Sequence, residues 1–172
     1  METLKTIFSR KSVRSYTGEK ASEEELGTIL KAGYAAPVGM GQYQSLHITV
    51  IEDKGILARI EEAGARLFGK PGLHPLYGAP TLILLSAKGN SSMDLSNASC
   101  VVENMSLAAV DLGLGTVHIW GAVAGMGKDE ALVSSLGLPE GFVPVCALAV
   151  GKTEAKYEER EIPERIATDY LR

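Results

Sequence analysis

The chain has 172 residues, of which 45% are hydrophobic and 22% are charged, and its formal net charge is −4. These values are typical of one globular domain and exclude a disordered chain or a generally basic nucleic-acid-binding surface. Two cysteines, Cys100 and Cys146, are too few for a disulfide framework, and the apolar runs are far shorter than the roughly 20 residues of a membrane helix. With a charged N-terminus unlike a signal peptide, the sequence predicts a cytoplasmic protein that binds neither membranes nor nucleic acid.

The first half of the sequence predicts three helices and two strands. Helices are expected over residues 2–9, from a capping box at Ser22 and Glu25 to near Pro37, and over residues 56–67. Strands are expected over residues 46–52 and 81–87, and the second is apolar enough to be buried on both faces. The glycine- and proline-rich residues 69–80 predict a loop.

The second half centres on the longest predicted helix, residues 94–112, with Gly113 at its C-cap. Strands over 115–119 and 143–150, a helix over 129–136 and a charged tail complete the chain. Because helices and strands do not alternate strictly, an α+β fold is expected, with a mostly antiparallel sheet flanked by helices. The long helix carries a wide face of small apolar residues, for which we expect a second subunit as the neighbour. These residues are Ala98, Val101, Val102, Met105, Ala108, Ala109 and Leu112.

The basic cluster Arg10-Lys11-Ser12-Val13-Arg14 is the first candidate binding site. Guanidinium groups match phosphate oxygens in pairs, and a serine hydroxyl adds another donor. Short basic runs are also common as solvated turns, and composition alone favours that simpler interpretation.

The glycine-rich segments do not match known nucleotide-binding loops. In residues 121–127, Ala122 stands where a phosphate loop requires its first glycine, and Asp129 stands where serine or threonine should hold magnesium. The sequence from Gly39 to Gly41 follows a helix and precedes a strand, which is the reverse of a dinucleotide fingerprint. Trp120, beside Gly121, either faces a planar ligand or packs in a core or an interface, and without further context packing is the favoured interpretation.

No arrangement of nucleophile and base, and no metal cluster, is evident in the sequence. The order of four segments, however, resembles the FMN-dependent nitroreductase family over nearly the whole chain. These segments are Arg10–Tyr16, Ala36–Gly39, Glu103–Thr116 with its Gly-Leu-Gly ending, and Leu138–Gly151 with its Leu-Pro-Glu-Gly opening.

The resemblance implies a single FMN-binding domain over residues 1–172, an intertwined homodimer, and roles for particular residues. The phosphate and ribityl side of FMN would be held by Arg10, Lys11, Ser12 and Arg14, the last near N1 and O2 of the ring. The isoalloxazine edge would be lined from the partner subunit by Pro37, Val38 and Gly39. One flavin face would be covered by His118, Ile119, Trp120 and Gly121, with a backbone N–H of Trp120 or Gly121 near N5. Arg160, before Lys156 and Arg165, would complete the phosphate site.

The activity so implied is hydride transfer from NAD(P)H through FMN to a small acceptor such as a nitroaromatic compound or a quinone. In such chemistry the cofactor reacts, which is consistent with the absence of a catalytic motif in the sequence. Flavin reduction, reductive dehalogenation and FMN binding without turnover are the alternatives. Val38-Gly39-Met40-Gly41 replaces the serine and asparagine usual in the family, so a less polar acceptor pocket is expected.

Overall fold

A computed structural model describes residues 2–172 and confirms the α+β fold with an antiparallel sheet. Its four strands are β1 (Leu46–Ile51), β2 (Thr81–Ala87), β3 (Gly115–Ile119) and β4 (Val143–Gly151). They lie in the order β1-β2-β4-β3, and each neighbouring pair is antiparallel. Every residue of β2, one of the two inner strands, is buried, as its apolar sequence predicts.

Five of the six helices in residues 2–172 lie close to their predicted positions, and the helix that begins at Gly121 is the exception. They are α1 (Thr3–Ser9), α2 (Glu23–Tyr34), α3 (Lys54–Leu67), α4 (Ser92–Asp111), α5 (Gly121–Met126) and α6 (Glu130–Ser135). The capping box at Ser22 is present, with the hydroxyl accepting from the backbone N–H of Glu25. A second capping box at Ser91 starts α4 two residues earlier than expected, and Leu112 rather than Gly113 is its C-cap.

Two apolar cores cover the two faces of the sheet. One core joins the sheet to α3, α5 and α6, and the other joins it to α2 and α4. Five of the seven small apolar residues of α4 belong to the second core, where Ala98, Val102 and Met105 are fully buried within the single chain. Within the chain α2 and the sheet cover most of this face, but Ala108 is half-buried and Leu112 is 38% exposed, so a second subunit at this helix stays a prediction.

Helix α5 was not predicted from the sequence, and it packs against α3 at unusually short range. A Cβ atom placed on Gly125 would lie 2.3 Å from the backbone oxygen of Ala63. The two helix backbones thus approach more closely than any side chain at Gly125 would permit. This contact fixes the position of α5, which begins directly after β3 and Trp120. Among residues 2–172, no helix is both long and apolar enough to cross a membrane.

Candidate functional site

The basic cluster lies along the outer edge of β3. The backbone N–H of Val13 donates to the carbonyl oxygen of Thr116 at 2.8 Å, and the Val13 side chain is buried. Anchoring at this position leaves the side chains of Lys11, Ser12 and Arg14 exposed beside the sheet. The segment is therefore held by the fold, and its polar side chains remain available to a ligand.

Glu103 of α4 joins two of the predicted site residues. Its Oε1 lies 3.5 Å from Nε of Arg10, and its Oε2 lies 3.1 Å from Nε2 of His118. The hydrogen bond from His118, with a smaller contribution from the charge of Arg10, lowers the pKa of the Glu103 carboxyl. Arg10 and His118 are thus brought to one place although 108 positions separate them in the printed sequence. Sequence reasoning missed Glu103, because its position in the long-helix motif is its one distinguishing feature in the sequence.

Arg160 reaches the same place from the C-terminal segment. Its Nη2 donates to the carbonyl oxygen of Arg10 at 2.7 Å, and its Nε donates to that of Phe8 at 3.2 Å. Tyr157 anchors the segment, because its hydroxyl donates to the carbonyl oxygen of Leu114 at 2.7 Å. Burial of this side chain raises the pKa of its hydroxyl to about 12. The exposed alternatives, Lys156 and Arg165, show no comparable contact among the described residues.

The end of β3 presents a mixed surface. His118 and Trp120 are exposed, the latter by 65%, whereas the Ile119 side chain is buried in the core. Only the backbone of Ile119 could therefore face a ligand. Trp120 is the N-cap of α5, but its side chain does not accept a hydrogen bond from the first backbone N–H groups of this helix.

The 37–39 segment lies on a different side of α4. The N–H of Gly39 donates to Oδ1 of Asn97 at 3.0 Å, and the Val38 side chain is buried. Asn97 and Glu103 are six residues apart in a helix, which places them about 9 Å apart along the axis and roughly a third of a turn apart around it. Within one chain the structure thus does not bring this segment to the basic cluster.

Tyr77 of the 69–80 loop is a further neighbour of the site that sequence reasoning missed. The guanidinium carbon of Arg14 lies 5.6 Å from the centroid of the Tyr77 ring. Tyr77 also has a φ of 58°, a left-handed conformation that is rare for a tyrosine. Neither property can be inferred from the sequence, in which Tyr77 is one residue of an irregular loop.

Together these side chains form a donor set suited to a phosphomonoester. The Arg160 guanidinium contacts the backbone of Arg10, and Lys11, Ser12 and Arg14 lie along the adjoining edge of β3. Charge-assisted hydrogen bonds of this kind are the strong ones in proteins, and several are needed to hold a doubly charged group. The exposed end of β3 adds a surface on which a planar ring can rest.

Comparison with known proteins identifies the family of the chain. Residues 7–152 match the nitroreductase family. An Archaeoglobus fulgidus protein, named as a candidate NADH dehydrogenase/NAD(P)H nitroreductase, is 30% identical over 99% of this chain and 96% of its own length. The FMN reductase [NAD(P)H] of Bacillus subtilis is 30% identical over 87% of this chain and 65% of its own length.

Solved structures show the same fold. A nitroreductase with bound FMN from Bacteroides fragilis superposes with a TM-score of 0.80 at 28% identity, covering 99% of this chain and 100% of its own. One from Desulfitobacterium hafniense, also with bound FMN, gives a TM-score of 0.86 at 23% identity and covers 100% and 99% of the two chains. The chain belongs to the nitroreductase family.

Proposed function

We propose that this protein is an FMN-dependent oxidoreductase that passes hydride from NAD(P)H, through FMN, to a small electron acceptor. The observation that carries the proposal is the hydrogen bond from the Arg160 guanidinium to the backbone carbonyl oxygen of Arg10, which brings the C-terminal segment beside the basic cluster. The names of the relatives support it, since they describe NAD(P)H nitroreductases and FMN reductases. FMN, when bound, supplies the ring that accepts and returns the hydride.

In this proposal the protein binds and orients the cofactor. Arg10 and Arg160 hold the phosphate, Lys11 and Ser12 add donors, and Arg14 lies at the N1 and O2 edge of the ring. The exposed end of β3 supports one ring face, where a backbone N–H of Trp120 or Gly121 donates to N5. A cation near N1 favours the anionic reduced flavin, and a donor at N5 tunes the reduction potential.

A homodimer with a shared site is part of the proposal. In one chain the 37–39 segment lies away from the basic cluster, so it can line the flavin edge only from a second subunit. Exposed apolar side chains on α1, at the end of α4 and in the C-terminal segment offer a surface for this partner. They are Leu4, Ile7, Phe8, Leu112, Ile162, Ile166 and Leu171. The cytoplasm remains the expected compartment, and the two cysteines of the chain are unpaired.

The pocket above the open flavin face should accept apolar aromatic molecules. Met40, in the loop that would shape this pocket from the partner subunit, is 77% exposed and apolar. If one ring face rests on the end of β3, NAD(P)H and the acceptor must use the other face in turn. We therefore expect ping-pong kinetics, with a quinone such as menadione reduced at least as fast as a nitrobenzoate.

Initial rates measured at varied NADH or NADPH and varied acceptor test this expectation. Parallel lines in double-reciprocal plots are the expected result. Converging lines would indicate a ternary complex and would contradict the use of one flavin face by NAD(P)H and the acceptor in turn. Free FMN belongs among the acceptors, because two Bacillus subtilis relatives are named FMN reductases. A protein that binds FMN but turns over with none of these acceptors would be a flavin-sequestering protein instead.

A further inference from the structure

Tyr77 has a backbone conformation that residues other than glycine rarely adopt. Its φ is 58°, and Gly78 follows with a φ of 75°. Among the described residues, Met40 is the one other non-glycine residue with positive φ. Left-handed conformations bring Cβ close to the next carbonyl oxygen, and they persist where surrounding contacts fix them, often at functional sites.

Contacts on the N-terminal side fix the loop at this point. The Leu76 side chain is buried, and its backbone N–H donates to Oε1 of Glu61 in α3 at 3.2 Å. The backbone N–H of Tyr77 donates to the carbonyl oxygen of His74 at 3.0 Å. The anchor is therefore the neighbouring residue, and the Tyr77 ring, which is 36% exposed, is not required to fill the core.

The ring instead meets a cation of the candidate site. The Arg14 guanidinium carbon lies 5.6 Å from the ring centroid, within the roughly 6 Å range of a cation–π interaction. Arg14 has an exposed side chain and comes from the segment fixed to β3 by Val13. Two rigidly anchored segments thus bring one aromatic ring and one guanidinium group together at the surface.

We propose that Tyr77 is a positioning residue whose ring holds the Arg14 guanidinium at the pyrimidine edge of the flavin and thereby sets the reduction potential of bound FMN. The proposal rests on the proposed function, which places Arg14 at that edge. Negative charge develops on the reduced ring. A guanidinium that is already held in place loses less conformational entropy on binding this charge than a freely moving one. Loss of the ring should thus weaken the binding of reduced FMN more than that of oxidised FMN.

Tyr77→Asn tests the proposal, because asparagine tolerates a left-handed conformation. We expect the melting temperature of the apoprotein to stay within about 2 °C of the wild type or to rise. Affinity for oxidised FMN should fall about threefold and affinity for reduced FMN about thirtyfold. This tenfold difference corresponds to a midpoint potential lower by about 30 mV for a two-electron couple. Tyr77→Phe keeps the ring and should retain the wild-type affinity and potential.

Two further variants make the test specific. Tyr34→Asn removes another exposed tyrosine, at the end of α2, and should change neither FMN affinity nor potential. In an Arg14→Ala background, Tyr77→Asn should have no added effect, because the ring acts through the guanidinium. The proposal would be overturned if Tyr77→Asn had the same effect with and without Arg14. It would also be overturned if Arg14→Ala shifted the potential of bound FMN while Tyr77→Asn left that potential at the wild-type value. Wild-type FMN affinity and potential in Arg14→Ala would instead overturn the placement of Arg14 in the proposed function.

Discussion

Replacing Arg10 with alanine is expected to weaken FMN binding by about 10- to 100-fold while the protein stays folded. A hydrogen bond from a charged donor contributes about 1.5–3 kcal/mol, and Arg10 is the proposed phosphate ligand that Arg160 contacts. The loss of stability should stay below about 0.5 kcal/mol, because the partner of Arg10 is the half-exposed carboxylate of Glu103. Fluorescence titration of the apoprotein with FMN, and its thermal unfolding, measure the two quantities separately.

Two control variants show whether the effect is specific. Lys54→Ala removes an exposed positive charge of α3, outside the proposed site and the proposed dimer surface, and should change FMN affinity by less than about twofold because salt screens exposed charges. Glu103→Gln removes the carboxylate beside Arg10 but keeps the guanidinium, so FMN affinity should stay at the wild-type value or rise. Full retention of FMN by Arg10→Ala would show that the basic cluster is a solvated turn and not a phosphate site.

Gly125→Ala is expected to destabilise the protein by about 3 kcal/mol, near the upper end for an overpacked contact. The added methyl group would lie 2.3 Å from the backbone oxygen of Ala63 and 2.9 Å from the backbone nitrogen of Gly64, so α3 and α5 would have to separate. For a chain of this size the melting temperature should fall by about 6–12 °C. Because α5 starts at the end of β3, FMN affinity should fall together with stability.

Gly127→Ala is the matched control for this contact. At Gly127 the nearest atom to an added Cβ is the backbone oxygen of Val123, at an ordinary distance of 3.5 Å. Its stability should lie within about 0.5 kcal/mol of the wild type, as is usual for surface substitutions. A Gly125→Ala protein as stable as Gly127→Ala would contradict the close approach of the two helices.

Local patterns in the sequence predicted most of the secondary structure. The capping box at Ser22 and Glu25 depends on residues three positions apart, and the burial of β2 follows from an uninterrupted apolar run. Both features are encoded within a few neighbouring residues. Helix α5 was missed because its stability comes from contact with α3, which no pattern within residues 121–127 reveals.

In the candidate site, too, some residues were selected from the sequence and others were found only in the structure. Arg10, Arg14 and Arg160 were selected because the order of the motifs resembles the nitroreductase family, since composition alone favoured a solvated turn at the basic cluster. Glu103 and Tyr77 could not be chosen, since their roles depend on contacts between segments distant in the chain. The sequence also does not show that α2 and the sheet cover most of the apolar face of α4, because it does not reveal which neighbour packs against a helix.

The central claim is tested most directly by the visible absorbance of the FMN-loaded protein before and after addition of NADH or NADPH without oxygen. The account predicts that at least one of the two nucleotides bleaches the flavin band in proportion to the amount added, and that menadione then restores it. Bound FMN that neither nucleotide bleaches would contradict an oxidoreductase, and failure of the protein to bind FMN would contradict the site itself.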